Sequence, residues 1–357
     1  MKKLLIFLLI SLITFSCSKT NNIINWEPEI PNGILTKDGR VLGISPSQSD
    51  RAFENVFKDL KDIGVGRVEL NLEWSYFEED VGQYQDPLGL LEAISFYGSN
   101  NIEIGLSIAT INTVKRTDPL ELQSLAYDDP RRLQAFDNLV DWILIKIGNK
   151  VKVDYISVGN EVDFILNGDE WSSFISFLES AKKNIHESHP EINVGVKITI
   201  GKGILGPYKD QALELIEMSD LALLNYYPQN DQFQVYAIDR IEQELDLIRT
   251  LINKPIYFTE VGFQSGDEFC KSSEEKQAIF FHFLFSYWDQ YPTEIPFINI
   301  NWIDDVSQEE LMLFENYYGY SDPAFKEYLA TLGLKTSSGK PKYAWKQIKT
   351  ETEYRNW

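Results

Sequence analysis

Two glutamates stand at the ends of apolar runs. Residues 154–163 read DYISVGNEVD and residues 255–263 read PIYFTEVGF. Each looks like a buried strand, yet each leads into an ionisable carboxyl group, Glu161 and Glu260. A carboxylate beside an apolar run is costly unless it is paired, hydrated or used. Two carboxyl groups brought together divide the work: the charge on one keeps a proton on the other, so one can attack while the other donates. Held roughly 5–5.5 Å apart, such a pair suits double displacement at an acetal carbon, the chemistry of retaining glycosidic cleavage. The competing roles are structural. Glu161 could cap a following helix, and Glu260 could lie in a buried ion pair with Arg67.

The elements that must position the pair are legible as a strand–helix alternation. Apolar runs bounded by Gly, Pro, Asn or Asp occur at 41–45, 67–74, 102–109, 153–161, 193–201, 221–228, 255–263 and 297–304. Between them lie helical patterns at 50–64, 128–148, 169–185, 210–220, 237–252 and 272–288. Ala52, Val56, Leu60 and Ile63 form an apolar stripe. Asp129-Pro130 supplies a cap and a first-turn proline, and SSEE before the last run predicts a capping box. Eight strands alternating with helices, with no linker between residues 40 and 350, predict an α/β fold, a single (β/α)8 TIM barrel. The rival, an open doubly wound sheet, calls for a glycine-rich phosphate turn after its first strand, and GISPSQSD is not one.

In such a barrel the chemistry sits at the carboxyl ends of the strands. Strand four ends in Asn160-Glu161, strand six in Asn225-Tyr226-Tyr227-Pro228, strand seven in Glu260 and strand eight in Trp302; strand two carries Asn71 and ends in Glu73-Trp74. Glu161 and Glu260 thereby face one another across the mouth. Tyr226 and Tyr227 are neighbours in a strand, so one of them points away from the lumen.

These residues resemble the clan A retaining glycoside hydrolases, whose signature is Asn-Glu closing strand four and a glutamate closing strand seven, here VGNE and FTEVGF. The stretch LNLEWSYFEEDVGQYQ after strand two, NYYP at strand six, Trp302, and the closing GLKTSSGKPKYAWKQI, where a final helix packs below the barrel, extend the resemblance over roughly residues 40–350. The VGNEV and NYYP spellings look most like the β-1,3-glucanase and endo-β-1,4-galactanase families. The resemblance implies Glu161 as acid/base and Glu260 as nucleophile. Asn160 would bind the sugar 2-hydroxyl, and Tyr227 or Tyr226 would donate to Glu260. Trp302 would floor the cleaved sugar, with Trp74 and Asn225 as further substrate contacts. It also implies an arginine inside strand two touching the nucleophile and a histidine before the strand-six tyrosine. Here Arg67 comes early, Glu69 lies at the expected depth, and the histidine is missing.

Charge and cysteine usage narrow the partners. The chain has 54 acidic against 33 basic residues and a net charge of −21, which argues against nucleic acid and anionic membrane surfaces. A polysaccharide or oligosaccharide partner and a monomeric state are expected. Three histidines, none with metal-ligand spacing at a strand end, point to neither zinc nor a Ser-His triad, and no cofactor is expected. Residues 1–16 read as a signal peptide, Lys2-Lys3 preceding the run Leu4–Phe15, and Cys17 as a lipidated first residue of the mature chain. A tether over 17–38 and a catalytic domain over 39–357 follow. This predicts an exported protein attached to a bacterial membrane only through the lipid at Cys17. If Cys17 carries lipid, Cys270 has no partner, and the fold is held by its core. The expected activity is endo-hydrolysis of a β-linked glucan, galactan or mannan. The alternatives are a non-catalytic glycan-binding lipoprotein, or a transglycosylase on the same scaffold.

Overall fold

The computed structural model describes residues 26–33, 36–149 and 151–357; the leader and Cys17 lie outside the described residues. The strands are β1 (Val41–Ile44), β2 (Arg67–Glu73), β3 (Glu103–Ala109), β4 (Val153–Ser157), β5 (Asn193–Gly195 continuing in Lys197–Thr199), β6 (Ala222–Tyr226), β7 (Ile256–Val261) and β8 (Phe297–Ile300). All pair in parallel in the order β5-β4-β3-β2-β1-β8-β7-β6-β5. The first segment of β5 pairs with β4 and the second with β6, so the sheet closes on itself as a (β/α)8 barrel.

Helices α1 (Phe53–Asp62), α2 (Leu90–Ser99), α3 (Pro130–Ile147), α4 (Glu170–Ser188), α5 (Lys209–Met218), α6 (Ile238–Leu251) and α7 (Glu274–Gln290) fill the crossovers. Asp129 caps α3 by accepting from Arg131 N. Ser273 caps α7 by accepting from Lys276 N, but the third helical residue is this lysine rather than a glutamate. The reciprocal arm of the predicted capping box is therefore missing. After β8 come two helices on the rim, α8 (Gln308–Tyr318) and α9 (Pro323–Ala330), and then α10 (Tyr343–Arg355), which packs along α7.

Alternation along each strand decides the two cores. Leu42, Val68, Ile104, Ile156, Ile198, Leu224, Phe258 and Ile298 face outward into the helix layer. Tyr155, Leu221, Leu223, Tyr257 and Phe297 fill the lower lumen with Val41 against them. The segment expected to be tether is docked from Trp26 onward: Trp26 stacks on Tyr343 at 5.0 Å, and Glu29 exchanges two hydrogen bonds with Gln347, each 2.9 Å long. Trp26 and Glu29 of that segment thus contact α10.

Candidate active site

The lumen turns polar toward the carboxyl ends of the strands. On β7 the register against β6 steps between Phe258 and Glu260, so Thr259 is an extra residue in that ladder. A bulge re-aims side chains, and here Thr259 and Glu260 both face the lumen in spite of being neighbours. Thr259 Oγ1 donates to Asn225 Oδ1 at 2.8 Å. Glu260 receives three donors: Asn71 Nδ2 at 3.1 Å on Oε1, and Tyr227 Oη at 2.8 Å and Asn301 Nδ2 at 3.1 Å on Oε2.

Glu161 leaves β4 in a left-handed conformation, φ 51° and ψ 45°, which a non-glycine residue adopts only when its surroundings enforce it. The short helix Val162–Phe164 begins after it, yet the Glu161 side chain makes no cap to that helix. It turns into the mouth, where Asn225 Nδ2 donates to Oε1 at 3.1 Å and Thr113 Oγ1 to Oε2 at 2.8 Å. Burial first, and then the charge of Glu260, push the Glu161 carboxyl up to about 8. The two glutamates thus share one mouth and are driven apart electrostatically: Glu260 wrapped in donors, Glu161 keeping a proton at neutral pH.

Among the predicted aromatic contacts, Trp302 is partly exposed on the rim. It stacks on Phe314 of α8 at 5.6 Å with the rings nearly parallel. A cavity of about 300 Å³ opens beside it, lined among others by Ser47, Gln48, Arg51, Phe53 and Glu310.

Several expectations are corrected. Trp74 is fully buried, packs on Phe136 at 5.3 Å and donates from Nε1 to Glu78 at 2.6 Å. It starts the one-turn helix Trp74–Phe77, which carries the indole out of the mouth into the helix layer. Tyr226 faces outward by alternation and donates to Glu244 of α6 at 2.9 Å; Tyr227 is the lumen tyrosine. Asn225 is 2% exposed, and its amide is committed to Glu161 and to Asn160 Oδ1. It holds the Glu161 side chain and has no free face for substrate. Asn160 lies beneath Glu161, donating to Asn112 Oδ1 at 3.0 Å. Arg67 sits at the opposite end of the lumen with Glu103 at 2.7 Å and Asp154 at 3.0 Å, so it is no partner of Glu260. Glu73 is a buried rim residue that accepts from Asn112 Nδ2 at 3.1 Å and Tyr317 Oη at 2.9 Å.

Other residues of the site were not evident from strand ends. Asn301 belongs to a run otherwise read for Trp302. Thr113 follows a two-residue ladder, Ile111–Asn112 with Lys115–Arg116, beyond β3. Tyr318 comes from α8, and the charges of Glu161 and Glu260 both bear on its hydroxyl, which burial raises most. Lys197 was hidden inside an apolar run. The period-two pattern Glu69, Asn71, Glu73 against Val68, Leu70, Leu72 is the signal that could have shown a polar lumen facing it.

Three comparisons bear on this arrangement. A model of glycosyl hydrolase family 53 matches residues 134–287, a span holding both Glu161 and Glu260. A search of curated proteins finds no match. Among solved structures, a GH5_18 protein from Streptomyces cattleya in complex with GlcNAc superposes with a TM-score of 0.69 at 12% identity, over 91% of this chain and 81% of that one. A GH5_18 variant from Bifidobacterium longum in complex with Manβ1-4GlcNAc gives 0.66 at 13%, over 88% and 78%. A family 39 glycoside hydrolase from Bacteroides cellulosilyticus gives 0.61 at 14%, over 90% and 65%. These likenesses establish the shared barrel.

Proposed function

We propose that the chain is a clan A retaining glycosidase that cleaves a β-linked polysaccharide internally, its substrate a glucan, galactan or mannan. The observation that carries the reading is the unequal treatment of two carboxyl groups in one mouth. Glu260 accepts from Asn71, Tyr227 and Asn301, while Glu161 is pushed up to about 8.

In the first step Glu260 attacks the anomeric carbon as Glu161 passes its proton to the leaving glycosidic oxygen, giving a glycosyl-enzyme ester and a shortened chain. In the second, Glu161, now a carboxylate, takes a proton from water as that water displaces Glu260. Trp302 offers an apolar face to the sugar ring, and the adjoining cavity leaves room for a further sugar along the rim. That room supports internal over terminal cleavage. Two of the structural neighbours are seen in complex with glycans, GlcNAc and Manβ1-4GlcNAc. The strongly negative chain, −21 overall, supports an uncharged polymer.

The test is a panel of defined β-linked polysaccharides with product sizing. Wild-type protein is expected to release a ladder of oligosaccharides, and Glu260→Ala to release none. Undiminished release of reducing sugar by Glu260→Ala would overturn the reading. We also propose export and lipid attachment at Cys17. Incorporation of labelled fatty acid that survives Cys17→Ser would contradict it.

A further inference from the structure

We propose that Lys197 is a positioning residue of this site: acting through Asn71, it orients the Glu260 carboxylate and keeps it ionised. The inference rests on the reading of Glu260 as nucleophile.

Lys197, on the second segment of β5, points into the lumen and is fully buried. Its Nζ lies 2.7 Å from Asn71 Oδ1 and 3.0 Å from Glu69 Oε2. Asn71 Nδ2 in turn donates to Glu260 Oε1 at 3.1 Å. An ammonium has donors and no acceptor, so the side-chain atom of Asn71 facing it must be the oxygen. The amide then has only its NH2 group left for Glu260. Without the cation, the same amide can turn over and present its oxygen to the carboxylate.

The arrangement is costly to keep for stability alone. TIM-barrel lumens are filled in layers by Val, Ile and Leu, and a buried ion pair can often be replaced by apolar residues with no loss, or with a gain, in stability. The surroundings are nevertheless built around it. Tyr155 donates to the other oxygen of Glu69, so each carboxylate oxygen has one partner. Gly105 stands opposite: a Cβ there would fall 2.0 Å from Glu69 Oε1 and 2.5 Å from the Tyr155 hydroxyl. Four strands therefore fix one ammonium under one amide.

The groups facing this network are Glu69 from β2, Tyr155 from β4, on which Arg67 and Asp154 from the lower lumen also bear, and Asp163 against Thr199 at the end of β5. Around Glu260 they are Glu161, Tyr227, Tyr318 of α8 and Tyr328 of α9. Of these only Arg67 carries positive charge, and it is paired with Glu103 and Asp154 at the far end of the lumen. Among the described residues, Lys197 is the cation that the nucleophile reaches through a single intervening side chain.

Lys197→Met alone leaves Glu69 buried without its cation and risks misfolding, so the informative protein is the double variant Lys197→Met with Glu69→Gln. Two measurements read it in the full chain. The first needs no substrate: carbon-13 titration of the Glu260 carboxyl, assigned with Glu260→Gln. Its midpoint is expected to rise by about 1 or more in the double variant. The second is the pH profile on the glycan turned over by the wild type. The acid limb of kcat/KM is expected to move upward, with a loss of roughly 10²-fold near neutral pH, mostly in kcat. Lost activity with the Glu260 midpoint unmoved is what mere packing produces, and it overturns the proposal, as does an unchanged profile. If the wild type turns over no glycan, the proposed function fails, and the titration still decides the role of Lys197.

Discussion

Asn225 donates to the Glu161 carboxyl across 3.1 Å. The same asparagine accepts from Thr259, the residue before Glu260, at 2.8 Å. The two catalytic candidates are thus braced against one another through strand β6, and the bulge at Thr259 is what turns Glu260 into the lumen beside it.

The Asn225 contact lowers the Glu161 pKa, against burial and the Glu260 charge, which raise it. Asn225→Ala is expected to move the basic limb of kcat/KM above about 8 and to lower kcat by about 10- to 100-fold, the worth of a hydrogen bond to a charged group. A pH–rate profile of the variant checks it; a basic limb moving down would contradict the assignment.

Glu161 also makes a prediction about stability. The unfolded chain sheds this proton near 4.5, the folded chain near about 8. The folded state therefore binds the extra proton, and its stability falls as pH rises through that window. Glu161→Gln removes the dependence. Thermal unfolding should show the variant gaining on the wild type between about pH 5 and about pH 9, the range that brackets both values. A gap that stays constant over that range is the contrary result.

The two tryptophans should separate cleanly. Trp302→Ala strips a partly exposed rim aromatic and should raise KM, lowering kcat/KM by about 10- to 100-fold, as loss of roughly 1.5–3 kcal/mol of apolar contact implies. Trp74→Phe leaves Glu78 without its 2.6 Å donor inside the fold and should lower stability by about 1–3 kcal/mol, with KM unchanged. Denaturant unfolding beside steady-state kinetics distinguishes them.

The barrel was legible because each strand is an apolar run with turn residues at both ends, and the two glutamates because such runs seldom finish on a carboxyl group. The errors have local causes. Trp74 follows a strand end in sequence but opens a helical turn, which reverses where its side chain goes. Tyr226 and Tyr227 could not be told apart without the phase of β6, which Leu223 and Asn225 in the lumen now fix. Lys197 is a single lysine inside the apolar run NVGVKITIG; its partners Glu69 and Asn71 lie more than 120 residues away, Asn71 by 126. The rim helices α8 and α9 carry Phe314, Tyr317, Tyr318 and Tyr328 to the mouth. Nothing in that segment's own pattern says where it docks.

The most direct test of the central claim is trapping. Incubation with activated 2-deoxy-2-fluoro β-glycosides should stall the reaction at the glycosyl-enzyme ester, and peptide mass mapping should locate the adduct. A single label is expected on the peptide containing Glu260, on that side chain. A label on Glu161, or on any other residue, would contradict it.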